Sequence, residues 1–327
     1  MKDIGIDLGT ANILVYVKGQ GVVLNEPSVL AIDAETKNVL AVGKAANDML
    51  GRTPGKVKAI KPLKEGVIAD FEYTEAMLVN MIKKIKGLKF WVKPRILICC
   101  PSNVTAVEKN AIRDVAEKLG AKKVFVEEEP KVAALGSGLD ISKPGANMVI
   151  DIGGGTTDIA ILSLGGIVNG SSIKVAGNTF DNAISEYIRE KYKLLIGERT
   201  AENIKFNLGS VFRGDKSNKK QIKGRNLETG LPDVLEISEK EIEEALYPYA
   251  MQIIKETKKV LEATSPELSA DIVDKGIVLT GGGAMVKGLS ELFEQELKVP
   301  IYIAESPLTC VVEGCGIMLS NLNLLDN

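Results

Sequence analysis

The chain has 327 residues, 45% hydrophobic and 26% charged, which is the composition of an ordinary globular protein with room for about two domains of ~100 to 200 residues. A net charge of -2, from 41 basic and 43 acidic residues, gives no overall attraction to DNA or RNA, so no nucleic-acid partner is expected. Histidine is absent, which excludes Ser-His-Asp hydrolysis, Cys-His proteolysis, His-ligated zinc and a histidine general base.

Met1 and Lys2 lead directly into the strand-like DIGIDL, and no apolar run reaches the ~18 residues of a membrane span, so a cytoplasmic protein is expected. The first element is an apolar strand ending in Asp7. A Gly9-Thr10 turn follows, and the alternating strand ILVYV leaves it. Further on, MIKKIKGLKFWVKPR (81 to 95) sets Phe90 and the lone Trp91 among lysines, a composition suited to an anionic headgroup boundary; the alternative is a local apolar cap or a contact between subunits. Cys99, Cys100, Cys310 and Cys315 lie in apolar or Gly-rich stretches and read as small core residues in a reducing compartment. The stretches 108 to 119 and 238 to 264 read as amphipathic helices covering a sheet, and the basic 211 to 226 as a mobile surface loop.

Residues 148 to 166, MVIDIGGGTTDIAILSLGG, repeat the opening pattern: strand, Asp151, a Gly/Thr turn through Gly153, Gly154, Gly155, Thr156 and Thr157, then an alternating strand. A repeat at ~140 residues implies two similarly built lobes rather than a solenoid. A tight Gly/Thr turn aims successive backbone N–H groups into one concavity that suits phosphate, and an Asp at each strand end can hold Mg²⁺ or its waters beside it. Two such hairpins would clamp a polyphosphate from both sides. A third glycine cluster, Gly281-Gly282-Gly283, follows a strand and precedes an amphipathic helix expected to carry Met285, Val286, Leu289, Leu292, Phe293 and Leu297 on one face. It fits a surface for the base and sugar of a nucleotide, and is neither a Walker A loop nor a GxGxxG fingerprint.

With these motifs in place, the chain resembles the actin, sugar kinase and heat-shock chaperone superfamily, and within it the bacterial actins of the MreB/Mbl family, on the Mbl side. The resemblance runs through IGIDLGTANILV, LNEPSV, GRTPGKVKAIKPLKEGVIADF, KPRILICCPSNVTAVEK, EEEPKVAALGSGL, NMVIDIGGGTTDIA and PELSADIVDKGIVLTGGGA. It implies an α/β actin-like fold of two duplicated ribonuclease-H-like lobes with nucleotide between them. Subdomain IA would take residues 1 to 30, 63 to 142 and 310 to 327, and IB 31 to 62. Subdomain IIA would take 143 to 176 and 243 to 309, and IIB 177 to 242.

The same resemblance implies an ATPase that polymerises on the inner face of the cell membrane and organises cell shape. Its partners would be itself, in paired protofilaments, an anionic membrane surface and membrane proteins of the shape-determining machinery. ATP and Mg²⁺ are the implied ligands, with Asp7 and Asp151 around the metal. Gly9, Thr10, Ala11, Asn12, Gly153, Gly154, Gly155, Thr156 and Thr157 would line the phosphates, Gly281, Gly282, Gly283 and Ala284 the adenosine, and Lys205 the base. Glu129 would orient the attacking water with Thr156, and Phe90 and Trp91 would enter the membrane. A carboxylate is also the natural water-orienting group in a chain without histidine, whereas Glu127 reads as a solvated charge ahead of a helix start at Pro130. Two positions depart from the family pattern: Asn178 and Asn207 stand where relatives carry acids, which bears on nucleotide affinity and base preference. A small-molecule kinase of the same superfamily is the rival reading, though no acceptor-binding motif is visible.

Overall fold

The computed structural model describes residues 3–85 and 93–321; Phe90 and Trp91 lie outside the described residues. The first lobe starts with a meander of β1 (Ile4–Leu8), β2 (Asn12–Val17) and β3 (Gly21–Pro27). Ile4, Ile6, Ile13, Val15 and Val17 are buried, as expected of β-branched residues on a packed sheet. A small sheet follows, built from β4 (Leu30–Asp33), β5 (Val39–Val42) and β6 (Val57–Ile60) with the short helix α1 (Lys44–Asn47). The two-residue strands β7 (Leu63–Lys64) and β8 (Val67–Ile68) make a tight hairpin. Beyond α2 (Phe71–Lys83), the strands β9 (Arg95–Cys100) and β10 (Lys123–Glu128) flank α3 (Ala106–Lys118) and add in parallel to β1, completing the order β10-β9-β1-β2-β3.

The second lobe repeats the plan. After α4 (Glu129–Gly136) come β11 (Asn147–Ile152), β12 (Thr157–Ser163) and β13 (Gly166–Ile173), again antiparallel. Next are α5 (Gly177–Tyr192), β14 (Leu194–Leu195), α6 (Glu198–Leu208), β15 (Lys219–Asn226) and β16 (Pro232–Ser238), whose strands form a separate three-stranded sheet. The chain returns through α7 (Glu239–Glu262) and α8 (Pro266–Lys275) to β17 (Ile277–Thr280), α9 (Leu289–Leu297) and β18 (Ile301–Ile303), and ends in α10 (Cys310–Ser320). The order β13-β12-β11-β17-β18 matches the first sheet strand for strand, with its last two strands likewise parallel.

Each lobe has its own core, and a third cluster joins them. That cluster packs Leu97 and Cys99 of one sheet and Val149 and Ala160 of the other around Val132, Ala133 and Ala134 of α4 and Cys315, Met318 and Leu319 of α10. The two helices cross in backbone contact: a Cβ on Gly136 would lie 1.8 Å from the Cys310 carbonyl oxygen, and one on Gly314 2.0 Å from that of Val132. Only glycine permits this approach. All four cysteines are free and buried.

Away from this packed pivot, side-chain charges span the lobes. Lys61 pairs with Glu198 at 2.7 Å and Asp48 with Arg199 at 3.1 Å, while Lys174 meets Glu65 of the β7–β8 turn at 2.7 Å.

Two expectations fail. Residues 219 to 226 are the strand β15, paired from Lys219↔Ser238 to Arg225↔Pro232, rather than part of a mobile loop. Its less exposed positions alternate, but apart from Ile222 they are Lys220, Gly224 and Asn226, so the pairing with β14 and β16 leaves no apolar alternation in the sequence. Met285 and Val286 do not belong to the helix after the glycine cluster. Gly282–Met285 is a 3₁₀ turn, Gly288 at φ 78° breaks the chain direction, and α9 starts at Leu289 with Met285 exposed.

Candidate functional site

A cleft of about 610 Å³ runs between the lobes, lined by residues from both repeated hairpins and from the third glycine cluster. In the first hairpin, Ser28 Oγ donates to the Gly9 carbonyl at 2.6 Å and the Ser28 N–H to that of Ala11 at 2.9 Å. In the second, the N–H groups of Gly177 and Asn178, at the start of α5, donate to the carbonyls of Gly153 and Gly154 at 3.0 and 2.8 Å. With those carbonyls engaged, the N–H groups of Thr10, Ala11, Gly154, Gly155 and Thr156 find no backbone acceptor among the described residues, and all five residues line the cleft. That is a pair of anion-binding concavities.

Two of the three glycines are explained by the way the turns meet. A Cβ on Gly154 would lie 2.6 Å from Ala11 Cβ, and one on Gly155 2.5 Å from Thr10 Oγ1. The two turns therefore touch face to face. Thr10 Oγ1 accepts the Gly66 N–H at 3.0 Å, which leaves its own proton to donate into the cleft.

Behind each turn sits an acid. Burial, reinforced by the Asp151 charge, lifts Asp7 to about 7; burial also lifts Asp151 to about 7, against the opposing bond from Thr280 Oγ1 at 2.9 Å. Asp151 is buried and Asp7 partly so, and neighbouring positive charge would favour the ionised form of both. No group of three or more His, Cys, Asp or Glu residues among the described residues could hold a metal alone, so the pair fits Mg²⁺, which accepts one or two carboxylates and takes its other ligands from phosphate and water.

The three consecutive glutamates separate by environment. Glu127 pairs with Lys131 at 3.3 Å and Glu128 with Lys109 at 3.4 Å. Glu129, at the start of α4, lines the cleft, and its carboxyl is held well above the usual range by burial and then by the charges of Asp158, Asp7 and Asp151. Thr156 lines the same space.

Gly9, Asn12, Gly153, Gly281, Gly282 and Gly283 also line the cleft; Thr157 and Ala284 do not. Thr157 is fully buried with its hydroxyl donating to the Val175 carbonyl at 2.6 Å, and Ala284 packs in the core of the second lobe. Lys205 lines the cleft, but its ammonium donates to the Gly177 carbonyl at 3.0 Å and to Asp181 at 2.9 Å, tying α6 to the backing of the second turn. Asn178 and Asn207 both line the cleft, and the Asn207 amide donates to the Asn203 carbonyl of its own helix. Phe206, Met285 and Leu308, all exposed, supply an apolar rim. Sequence reasoning missed Ser28, whose signal was the LNEPS motif, and Asp158, an acid inside the apolar strand TDIAIL.

The family model described as MreB/Mbl protein matches residues 1–327. The chain belongs to the MreB/Mbl family. It is 60% identical over 99% of its length to the cell shape-determining protein Mbl of Bacillus cereus, covering 97% of that protein. It is 48% identical to the cell shape-determining protein MreB of Escherichia coli, over 99% of this chain and 94% of that one. Among solved structures, MreB 5 of Spiroplasma citri bound to AMPPNP superposes with a TM-score of 0.94 at 43% identity, covering 98% of this chain and 97% of that one. The MamK double helical filament superposes at 0.84 with 21% identity, over 98% of this chain and 99% of that one, a likeness of fold. This MreB/Mbl chain thus has the actin-like fold.

Proposed function

We propose that this MreB/Mbl protein is an ATP-dependent filament-forming ATPase of the cell-shape cytoskeleton, peripheral at the inner face of the membrane. The observation that carries the nucleotide part is the facing pair of turns, each with carbonyls engaged by neighbouring N–H groups, its own N–H groups without backbone acceptors among the described residues, and an acid lining the cleft beside it. Relatives along the whole chain are named for cell-shape determination, and a solved relative is named as bound to AMPPNP. The names of these relatives favour a cell-shape role over the small-molecule kinase.

On this reading the two turns hold the phosphates through N–H groups and the Thr10 hydroxyl, and the apolar rim takes the base. Mg²⁺ held near Asp7 and Asp151 would neutralise phosphate charge. Glu129 and Thr156 orient water toward the γ-phosphate; positioning of this kind supplies most of the catalysis in phosphoryl transfer. The division into subdomains IA, IB, IIA and IIB given above belongs to the same proposal. So does membrane attachment through Phe90 and Trp91. It would be weak per subunit and useful only when many subunits bind together in a filament. Among the described residues no helix is long and apolar enough to cross a membrane.

The test is electron microscopy of the purified protein over an anionic lipid monolayer, with MgATP and without nucleotide. Filaments lying on lipid only with nucleotide are expected. Dispersed particles in every condition would overturn the filament reading. Glu129→Ala should slow phosphate release by about 100-fold, the range of a lost water-positioning group; an unchanged rate would remove Glu129 from the mechanism.

A further inference from the structure

Asp158 lies on β12, two residues beyond Thr156, and is 1% exposed. It stands opposite Asp151 in the strand pairing. One oxygen, Oδ1, accepts the backbone N–H of Ser102 at 2.9 Å, and Ser102 belongs to the other lobe, two residues past the end of β9. The other oxygen, Oδ2, has no well-formed hydrogen bond among the described residues, and neither do the buried hydroxyls of Ser102 and Ser172. Those hydroxyls and that of Thr156 nevertheless sit close enough to favour its ionised form against the burial that opposes it. The three hydroxyls therefore surround the carboxylate that the Ser102 N–H already anchors.

The position of Ser102 gives this contact its meaning. β9 and β10 are parallel neighbours, with Cys100 opposite Glu128. Ser102 and Glu129 therefore leave adjacent strand ends of the first lobe, while Thr156 and Asp158 share the second phosphate hairpin. Asp158 is also the charge that acts most strongly on Glu129.

We propose that Asp158 is a positioning residue for ATP hydrolysis: its carboxylate, set among the Ser102 and Ser172 hydroxyls, joins the Ser102 loop to β12 across the lobe boundary. The residue acts through the placement of Glu129 relative to Thr156 and touches no substrate. The inference rests on the ATPase reading above.

Two variants test it. Asp158→Val is similar in size and suits a strand, and its folding is checked by circular dichroism before its kinetics are read. Asp158→Asn keeps an oxygen that can accept the Ser102 N–H. Steady-state phosphate release and the affinity for a fluorescent ATP analogue are measured on wild type and both variants. In Asp158→Val, kcat should fall by about 10-fold or more, because small misplacements of reacting groups have large effects on rate. Nucleotide affinity should stay within about threefold in that variant, since it removes placement rather than a binding contact. Asp158→Asn should recover most of the lost rate.

A wild-type rate in Asp158→Val would overturn the inference alone. So would affinity falling in step with rate, or an Asn variant as slow as Val. Absence of phosphate release from the wild-type protein would overturn the ATPase reading and this inference together.

Discussion

Asp7 and Asp151 are the residues on which the nucleotide-free protein should be judged first. Each is raised from 3.8 to about 7, so the folded chain holds protons that the unfolded chain has already released between those values. Stability falls with rising pH wherever the native state binds more protons than the unfolded state. In chelator and without nucleotide, the thermal midpoint should therefore fall as pH rises from about 4 to about 7. Asp7→Asn should flatten that slope and raise the midpoint at pH 8, and an unchanged slope in the variant would show that the burial effect is not felt. Both acids were legible in the sequence, because each ends an apolar strand at a Gly/Thr turn. Asp158 was not. An acid inside a strand carries no mark of its partner, and the Ser102 N–H that it accepts lies 56 positions away on the other lobe.

At the scale of elements, the duplicated sheets were legible from the repeat because hairpin patterns are local. The helix after the third glycine cluster was placed too early for the opposite reason: a run of apolar residues at helical spacing cannot show that Gly288 interrupts it. The crossing of α4 and α10 was likewise hidden. It depends on Gly136 and Gly314 meeting carbonyls of a helix ~180 residues away in sequence, and neither residue looks special in its own segment. Gly314→Ala should destabilise the fold by about 1–3 kcal/mol through overpacking, read as a lower denaturant midpoint. Gly55→Ala, where a Cβ meets nothing, is the control and should leave the midpoint unchanged. Equal midpoints for the two variants would mean that the helices can part without penalty.

For the whole molecule, the two lobes are joined in unlike ways. The α4–α10 crossing is apolar and closely packed, whereas Lys61–Glu198 and Asp48–Arg199 are half-exposed pairs. Exposed pairs contribute little each and lose strength in salt. Lys61→Glu should speed release of a fluorescent ADP by about two- to fivefold, the range of one such pair, and adding Glu198→Lys should restore it. If the double variant stays as fast as the single one, the pair has no part in holding the lobes.

This difference makes the molecule resemble a door with a rigid hinge and a weak catch. Raising ionic strength should loosen the catch and leave the hinge alone, so nucleotide exchange would respond to the salt of the surroundings long before stability does. Because Glu129 starts α4, it sits on the hinge side, and the geometry that sets the chemistry should keep its alignment while the opposite edge swings.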